Sequence, residues 1–405
     1  MSELAELIRF EDPKFFLDNP YPILQRLRKE EPVFYYEPMD IWLVSKYEDI
    51  RFVGSKPDLF SSHEGIHVSD FRLGDKAGEA TKAFFRPAAE NIAMVGPPRH
   101  NELRGIVGAT FSPKVMTRIR DQVREMCRDL LRPIEPGQTV NWSNDVAEPL
   151  PLMVIAILMG LPLEELPKIK YYSDELIKIG FHLDDAEMME ILPRLEKMYV
   201  WFEELLTERE ANPRDDLVTT LGQARRSGQI STDTAYMLLA GVMVAGNETT
   251  RNTINGAAIL LSEHPGQMEL LVKDPNLVKI ATEEFLRYVS PVRGFGRTVM
   301  QDMELRGRKL AAGQHVFNFF MSGNRDEDAF DQPEVFDLTK RRNNPHLAFG
   351  FGQHFCIGAA LARLEINLLF EELIARFSKV EIVGTPFRDK VLQYNMWSEV
   401  QTVFT

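Results

Sequence analysis

Cysteine is scarce in this chain of 405 residues, which contains only Cys127 and Cys356. Because the two lie far apart in the sequence, they form no CxxC pair and no zinc-ligand spacing, and they cannot build a disulfide framework. Disulfide frameworks belong mainly to oxidising compartments, whereas two separate thiols suit a reducing one. The cysteine content therefore predicts a cytoplasmic protein.

Positive charge and long apolar runs are also in short supply. The formal net charge is −13, from 47 lysines and arginines against 60 aspartates and glutamates, which argues against broad nucleic-acid binding. Residues 1–12 carry five charged side chains and no long apolar run. Neither a signal peptide nor a membrane anchor is therefore expected.

The remaining composition is that of an ordinary globular protein. Hydrophobic residues make up 44% of the chain and charged residues 26%, which is enough to bury a sizeable core. No internal repeat, low-complexity stretch or long linker divides the chain. One domain over residues 1–405 is therefore expected.

Local patterns predict mostly helix with a minor β region. Val33–Tyr36 and Ile41–Val44 are rich in β-branched and aromatic residues and flank a turn that contains Pro38 and Asp40, which is typical of a hairpin. Capping residues and prolines mark the ends of several apolar stretches that are predicted as helices: residues 113–131, 232–262, 277–289 and 358–377. The predicted fold class is mainly α with a minor β lobe.

The most informative segment is the glycine-rich stretch Phe349–Gly358, which brings Cys356 to the start of a predicted helix. A helix N-terminus stabilises a thiolate through its free N–H groups and its dipole, and the thiolate is the form of cysteine that binds metals. Gly350 and Gly352 leave room for a large flat group beside the backbone. The segment alone leaves two interpretations open, a thiolate ligand of haem iron or a buried structural thiol beside a turn.

The spacing Phe-x-x-Gly-x-x-x-Cys-x-Gly resembles the haem-ligand signature of the cytochrome P450 family. Its members here are Phe349, Gly352, Cys356 and Gly358. Other segments of that family follow in the same order from Lys14 to Phe377, so the resemblance covers nearly the whole chain.

The resemblance has consequences for the fold and the cofactor. It implies a cytochrome P450 fold in a single domain, with a small β-containing region at about 30–60 and 292–320 and an α-rich lobe for the remainder. It also implies a haem b cofactor (iron protoporphyrin IX) with Cys356 as the metal ligand. The absence of an N-terminal anchor points to the soluble bacterial type.

Within the predicted helix 232–262, small residues stand beside a carboxylate and a hydroxyl. Gly246 costs a helix about 1 kcal/mol relative to alanine, which suits a place where a cofactor lies against the backbone. In the resemblance, Gly246 contacts the haem, and Glu248 and Thr249 form the acid–alcohol pair that delivers protons to dioxygen. Taken alone, these residues could equally form a polar patch on a helix.

Cationic side chains are expected around the haem propionates, because a buried anion needs cationic or donor partners. In the resemblance, His100 and Arg104 form a first clamp, one helical turn apart, and Arg297 forms a second. The other expected cofactor contacts are His354, His346 and Phe349.

Glu284 and Arg287 lie one helical turn apart, as members of an ion pair do. The resemblance makes them part of a buried triad that holds the fold and takes no part in catalysis. Its third member is expected to be Arg341, with Lys340 and Arg342 as neighbours.

Arg120, Arg124 and Arg128 recur every four residues and share one helix face, where the resemblance expects an electron donor to dock. A basic patch on an acidic protein favours an acidic donor of ferredoxin type. Acidic residues interleave on the same helix, so intrahelical pairing is the alternative. Gly294–Gly296 stops short of a GxGxxG fingerprint, so electrons are expected from a separate ferredoxin and its reductase.

The segments that the resemblance expects around the substrate are mainly apolar, which favours a hydrophobic substrate held by shape. They are residues 62–95 with Phe71, Phe84, Phe85 and Met94, then Met243 and Val244, Val292–Phe295, and Asn395–Trp397. The sequence Gly246–Asn252 is similar to that of family members that oxidise steroids and branched isoprenoids.

The predicted function is that of a haem-thiolate monooxygenase, which inserts one oxygen atom from O2 into a terpenoid, a steroid or an aliphatic molecule. Two alternatives stay open: a peroxide-driven or non-oxygenating enzyme on the same fold, and a haem-binding sensor without catalysis. Intact Glu248 and Thr249 argue against the first, and the lack of a sensor partner domain argues against the second.

Overall fold

A computed structural model of the protein describes residues 3–68, 70, 90–179 and 185–405. Three aromatic residues of the expected substrate segment, Phe71, Phe84 and Phe85, lie outside the described residues. Among the helices that are described, none has the combined length and apolar character that a membrane crossing requires.

The chain forms two compact units, each built from more than one stretch of sequence. The mixed unit comprises Met1–Ser61, Asp121–Leu150 and Thr249–Thr405. The helical unit comprises Ser62–Arg120 and Pro151–Glu248. Every strand in the described part of the chain lies in the mixed unit. The expectation of one domain over the whole chain stays a prediction.

Helices dominate the described residues of both units. In chain order the α-helices are α1 Glu3–Leu7, α2 Pro13–Leu17, α3 Tyr21–Glu30, α4 Tyr47–Ser55, α5 Arg99–Gly108, α6 Pro113–Leu131, α7 Pro149–Met159, α8 Leu166–Ile179, α9 Asp185–Ala211, α10 Leu217–Arg226, α11 Thr232–Ala245, α12 Glu248–Glu263, α13 Pro265–Lys273, α14 Val278–Val289, α15 Phe320–Gly323 and α16 Ala359–Arg376.

The strands of the mixed unit are short. In chain order they are β1 Val33–Tyr36, β2 Ile41–Val44, β3 Phe60–Ser61, β4 Thr139–Asn141, β5 Phe295–Val299, β6 Met303–Leu305, β7 Arg308–Leu310, β8 His315–Asn318, β9 Val380–Ile382, β10 Phe387–Arg388, β11 Trp397–Glu399 and β12 Gln401–Phe404.

The largest sheet has the strand order β1-β2-β8-β5-β3, and only the pairing of β2 with β8 is parallel. A three-stranded antiparallel sheet has the order β4-β12-β9, while β6 with β7 and β10 with β11 form two-stranded sheets. The regions in which β structure was expected, about 30–60 and 292–320, supply the strands of the largest sheet.

The predicted hairpin is confirmed. Val33 pairs with Val44 and Tyr36 with Ile41 across β1 and β2. Asp40 closes the connection in the left-handed region, with φ of 51°, which aspartate tolerates better than most residues. Val33 and Val44 are fully buried in the hydrophobic cluster on one side of the sheet, so burial fixes the register.

Three of the predicted helices are confirmed within a residue at each end. Residues 113–131 form α6, residues 277–289 correspond to α14, and residues 358–377 correspond to α16. Gly358 is the N-cap of α16 and Phe377 its C-cap. These ends were predicted correctly because capping residues and prolines are local signals that end a helix whatever lies elsewhere in the chain.

The prediction of one helix over residues 232–262 is wrong, because the chain turns at Gly246 and Asn247 and divides it into α11 and α12. The amide of Asn247 donates to the carbonyl of Val244, 3.3 Å away and only three residues back, which tightens the end of α11. A side chain at position 246 would overlap that of Ile155. Packing against Ile155 therefore accounts for the glycine within the helical unit.

The expected third member of the structural triad, Arg341, is also wrong. Arg341 is exposed, and it is Arg342 that contacts Glu284, with Nη2 2.6 Å from Oε1 and Nε 3.2 Å from Oε2. Arg287 donates to the same carboxylate through two bonds of 2.8 Å. The triad acid therefore takes the arginine one position later in the sequence than expected.

Burial destabilises the charged groups of this ion-pair cluster, and hydrogen bonds between them offset that cost. Glu284 and Arg287 are each 1% exposed. Burial alone would raise the pKa of Glu284, but hydrogen bonds from Arg287 and Arg342 bring it below its ordinary value of 4.5. The triad therefore contributes stability while the carboxylate is ionised.

We expect Arg342→Ala to lower the free energy of unfolding by roughly 1–3 kcal/mol, because it removes two hydrogen bonds from a buried carboxylate. Arg341→Ala, the neighbouring control, should change it by less than about 0.5 kcal/mol. Urea denaturation measures both. The pKa of Glu284 is depressed in the folded state, so the effect is fully present above pH 4.5 and shrinks as the pH falls further. Equal losses in the two variants at neutral pH would contradict the assignment.

Candidate active site

The segment that carries Cys356 is a tight loop in the mixed unit. The amide of Cys356 donates to the carbonyl of Phe349, 2.9 Å away, and the amide of Phe355 donates to Gly352 at 3.1 Å. Cys356 is half-buried and lies two residues before Gly358, the N-cap of α16. The thiol therefore stands just ahead of the N-terminus of the helix.

Gly352 fixes this loop against α4. Its φ is +76°, a left-handed conformation, and a Cβ there would overlap the carbonyl oxygen of Gly54. In return, a Cβ on Gly54 would lie 2.9 Å from the carbonyl oxygen of Phe351. Two backbone segments thus touch directly, which requires glycine on both sides.

Aromatic and charged side chains surround the start of the loop. Phe349 meets Phe355 edge-on at 6.2 Å between ring centroids, and the guanidinium of Arg363 lies 4.6 Å from the centre of the Phe349 ring. Arg363 also pairs with Glu283 at 2.6 Å. Arg363 was not among the predicted site residues, although it lies seven residues after Cys356 on the helix that follows the cysteine.

His346 is engaged by protein groups. Its Nε2 lies 3.3 Å from Glu283, and its Nδ1 accepts a hydrogen bond from the amide of Ala348 at 3.2 Å. Burial would raise the pKa of Glu283, but hydrogen bonds from Arg363 and His346 outweigh it and lower the pKa to about 2. His346 therefore serves the structure of the loop through Glu283.

Arg297 lies on β5 with its guanidinium in the interior. The residue is 7% exposed, and its Nη1 donates to the carbonyl of its own neighbour Gly296 at 2.6 Å. Burial lowers the pKa of Arg297 to about 10. Within the part of the chain that the structure covers, no carboxylate pairs with this guanidinium.

Thr249 lies in the first turn of α12, in the mixed unit. It is half-buried, and its carbonyl accepts a hydrogen bond of 2.9 Å from the hydroxyl of Thr253. Glu248 precedes it and belongs to the helical unit, where its buried carboxylate lies 3.5 Å from the side-chain amide of Asn247. The break before α12 therefore puts both residues at the start of a helix.

His100 and Arg104 lie on α5 in the helical unit, four residues apart as predicted. His100 is buried, with Nδ1 3.4 Å from the side-chain oxygen of Asn101. Burial, reinforced by the charge of Arg104, lowers the pKa of His100. The imidazole is therefore held neutral at physiological pH, and Arg104 is the charged member of the pair.

The predicted site residues divide between the two units. The mixed unit contains Phe349, His354 and Cys356 in one loop together with Arg297 and Thr249, and the helical unit contains His100, Arg104, Gly246 and Glu248.

Two of the three arginines predicted to dock an electron donor, Arg124 and Arg128, pair with a neighbouring helix. Arg124 contacts Glu372 at 2.5 Å and Glu371 at 2.6 Å, and Arg128 contacts Glu372 at 2.9 Å. Both acids lie on α16. The pairing is therefore mainly between helices, and the charges of these two arginines and two glutamates sum to zero.

Comparison with known proteins gives a consistent result. A model of the cytochrome P450 family matches residues 270–393, which include the triad acid and Cys356. Cytochrome P450 109 of Bacillus spizizenii is 34% identical over 384 residues, which cover 91% of this chain and 89% of that protein. The chain belongs to the cytochrome P450 family. It is accordingly a P450 monooxygenase with a haem cofactor and a bacterial type of sequence.

Two further relatives and one solved structure extend the comparison. The steroid C26-monooxygenase of Rhodococcus jostii is 34% identical, with 95% of this chain and 82% of that protein covered. The methyl-branched lipid omega-hydroxylase of Mycobacterium tuberculosis is 33% identical, with coverages of 89% and 86%. The structure of cytochrome P450-153 from Novosphingobium aromaticivorans matches with a TM-score of 0.88 at 27% identity, with 100% of each chain covered. The mostly helical P450 fold is thereby confirmed.

The residues of this P450 fit a haem. A buried guanidinium needs an anion, and the protein residues around Arg297 that the structure describes supply only carbonyl oxygen. A haem propionate is an anion of the required charge. The cysteine loop also leaves Cys356 half-buried instead of sealing it in the core, as a metal ligand requires.

We expect Gly352→Ala to lower the free energy of unfolding by about 3 kcal/mol or more, because the new methyl group must displace the backbone of Gly54 in addition to its conformational strain. Gly384→Ala is the matched control, since Gly384 has a φ of +73° with open space around its Cβ position. Strain alone should cost it about 1 kcal/mol. Denaturation curves and haem content report the outcome. Similar losses in both variants would show that the contact with Gly54 is unimportant.

Proposed function

We propose that the thiolate of Cys356 is the axial ligand of the haem iron. The position of Cys356 carries this proposal: it is half-buried, lies two residues before the N-cap of α16, and has its amide fixed on the carbonyl of Phe349. The positive end of the dipole of α16 favours the thiolate over the thiol. A haem held in this way supplies the activation of O2 that monooxygenation needs.

The other cysteine is unsuited to this role. Cys127 is fully buried in α6, and burial raises the pKa of its thiol. A protonated thiol is a poor metal ligand. Cys127 therefore acts as a small packing residue.

Four side chains hold the haem propionates in this proposal: His100, Arg104, Arg297 and His354. Arg297 makes the strongest case, because its buried charge has only a carbonyl partner in the described residues. Phe349 and Gly246 are further haem contacts in this proposal. Each charged contact offsets the desolvation of a carboxylate.

In this proposal Thr249 and Glu248 deliver protons to the site. The hydroxyl of Thr249 donates a proton towards dioxygen in the site, and the carboxyl group of Glu248 restores it from solvent. A side chain that holds the proton at a defined atom is what general acid catalysis requires. Both lie at the beginning of α12, where the chain has just turned.

The substrate is, in this proposal, an apolar molecule with a methyl-branched alkyl chain that is oxidised at its end. Two relatives support this class: one is named for C26 of a steroid, a terminal carbon of a branched side chain, and one for the omega position of methyl-branched lipids. The apolar character of Val292 and Phe295 fits a substrate held by shape.

Electrons come from a separate ferredoxin and its reductase, in a cytoplasmic setting that the two separated thiols suit. The lack of a flavin or nicotinamide fingerprint supports a separate donor. Because α16 neutralises Arg124 and Arg128, shape and the remaining basic side chains contribute most of the docking.

The substrate class is tested by titrating the ferric holoenzyme with four probes and following the haem spin state. Cholest-4-en-3-one and pristanic acid have methyl-branched chain ends, whereas hexadecanoic acid and testosterone do not. We expect the branched probes to bind at least tenfold more tightly, about 1.4 kcal/mol, because the branch fills apolar volume that a straight chain leaves empty. Equal or tighter binding of hexadecanoic acid would contradict the proposed class.

The proton role is tested with Thr249→Ala. With cholest-4-en-3-one, a surrogate ferredoxin and its reductase, we expect the spin-state shift to persist while product formed per O2 consumed falls about tenfold. The O2 that is consumed without forming product should be recovered as hydrogen peroxide, with one NADH oxidised for each hydrogen peroxide formed. Tightly coupled turnover in the variant would rule out Thr249 as the proton donor.

A further inference from the structure

Thr249 lies in the first turn of α12. The chain turns at Gly246 and Asn247, and α12 begins at Glu248. The end of a helix frays more readily than its middle. Contacts made by the next residues of α12 therefore help to hold the turn that carries Thr249.

Asn252 and Asn255 supply those contacts by forming hydrogen bonds with the backbone of Trp397. The side-chain oxygen of Asn252 accepts a hydrogen bond of 2.9 Å from the amide of Trp397, the first residue of β11. The side-chain nitrogen of Asn255 donates to the carbonyl of Trp397 at 3.1 Å. The asparagines are three residues apart, so they lie on one face of α12. One bonds to the backbone amide of Trp397 and the other to its backbone carbonyl.

A second layer of polar contacts holds the asparagines. Asn255 also donates to the hydroxyl of Ser143 at 3.0 Å, and that hydroxyl donates to the carbonyl of Trp397 at 3.2 Å. Arg251 lies 3.2 Å from the same hydroxyl and pairs with Glu148 at 2.8 Å. Ser143, Arg251, Asn252 and Asn255 are all buried. Such a network is rigid because each buried group depends on its neighbours.

We propose that Asn252 and Asn255 are positioning residues. Their hydrogen bonds to the backbone of Trp397 fix the first turn of α12 and, with it, the hydroxyl of Thr249. The inference rests on the proposed function of Thr249 in proton delivery. Asn252 follows Thr249 by three residues, so loss of its hydrogen bond frees the turn that carries the hydroxyl. A displacement of about 1 Å in a reacting group can cost about a hundredfold in rate.

The test compares Asn252→Ala with Ser262→Ala. Ser262 lies near the far end of α12, and its hydroxyl oxygen accepts a hydrogen bond of 3.0 Å from the amide of Ile382 in β9. Each variant thus removes one side-chain oxygen that accepts from a strand amide, at opposite ends of the same helix. Amide hydrogen exchange of the haem-free and haem-loaded protein, and coupling of O2 consumption to product with cholest-4-en-3-one, are measured.

For Asn252→Ala we expect faster exchange over residues 249–255 and at least a fivefold fall in product formed per O2 consumed, with the spin-state shift retained. For Ser262→Ala we expect faster exchange only near the end of α12 and coupling within twofold of the wild type. If Asn252→Ala does not hold haem, Asn255→Ala removes the grip on the other side of Trp397 and carries the same expectations.

Faster exchange over residues 249–255 with unchanged coupling would overturn the proposal, because the asparagines would then stabilise the helix without positioning Thr249. Unchanged exchange would overturn it as well. Failure of the underlying function looks different: Thr249→Ala itself would then stay coupled, whatever the asparagine variants do.

Discussion

The candidate active site of this P450 depends on one direct contact between two stretches of backbone. Gly352 of the cysteine loop lies against Gly54 at the end of α4, and neither position has room for a side chain. This contact fixes the loop so that the carbonyl of Phe349 meets the amide of Cys356. The orientation of the proposed iron ligand is therefore set by main-chain geometry, which side-chain variation elsewhere cannot easily disturb.

Buried charge is used in two different ways around this loop. Glu284 has two arginine partners and Glu283 has an arginine and a histidine, so these acids are satisfied by the protein itself. Arg297 instead meets only carbonyl oxygen among the described residues. A paired charge stabilises the fold, whereas a buried charge without its counter-ion marks a place for a ligand. The same distinction separates the structural His346 from the residues proposed to hold the propionates.

Sequence reasoning succeeded where local chemistry decides the structure. The hairpin at Val33–Val44, the ends of α6, α14 and α16, and the cysteine loop all follow from turn residues, caps and glycine spacing. It failed where the answer depends on distant residues. The break before α12 involves Gly246 packing against Ile155, which is remote in sequence. The choice of Arg342 over Arg341 depends on which of the two side chains reaches Glu284, 58 positions away, and the hydrogen bond between Asn252 and Trp397 joins residues 145 positions apart.

The central claim, that the thiolate of Cys356 binds the haem iron, is tested most directly by the absorbance of the reduced protein with carbon monoxide. The two cysteines provide a matched pair, since Cys127→Ser alters a buried thiol and Cys356→Ser alters the proposed ligand. We predict the strongly red-shifted Soret band of thiolate-ligated haem in the wild type and in Cys127→Ser, and its loss in Cys356→Ser. A wild-type band at the position of histidine-ligated haem, or a red-shifted band that survives in Cys356→Ser, would contradict the account.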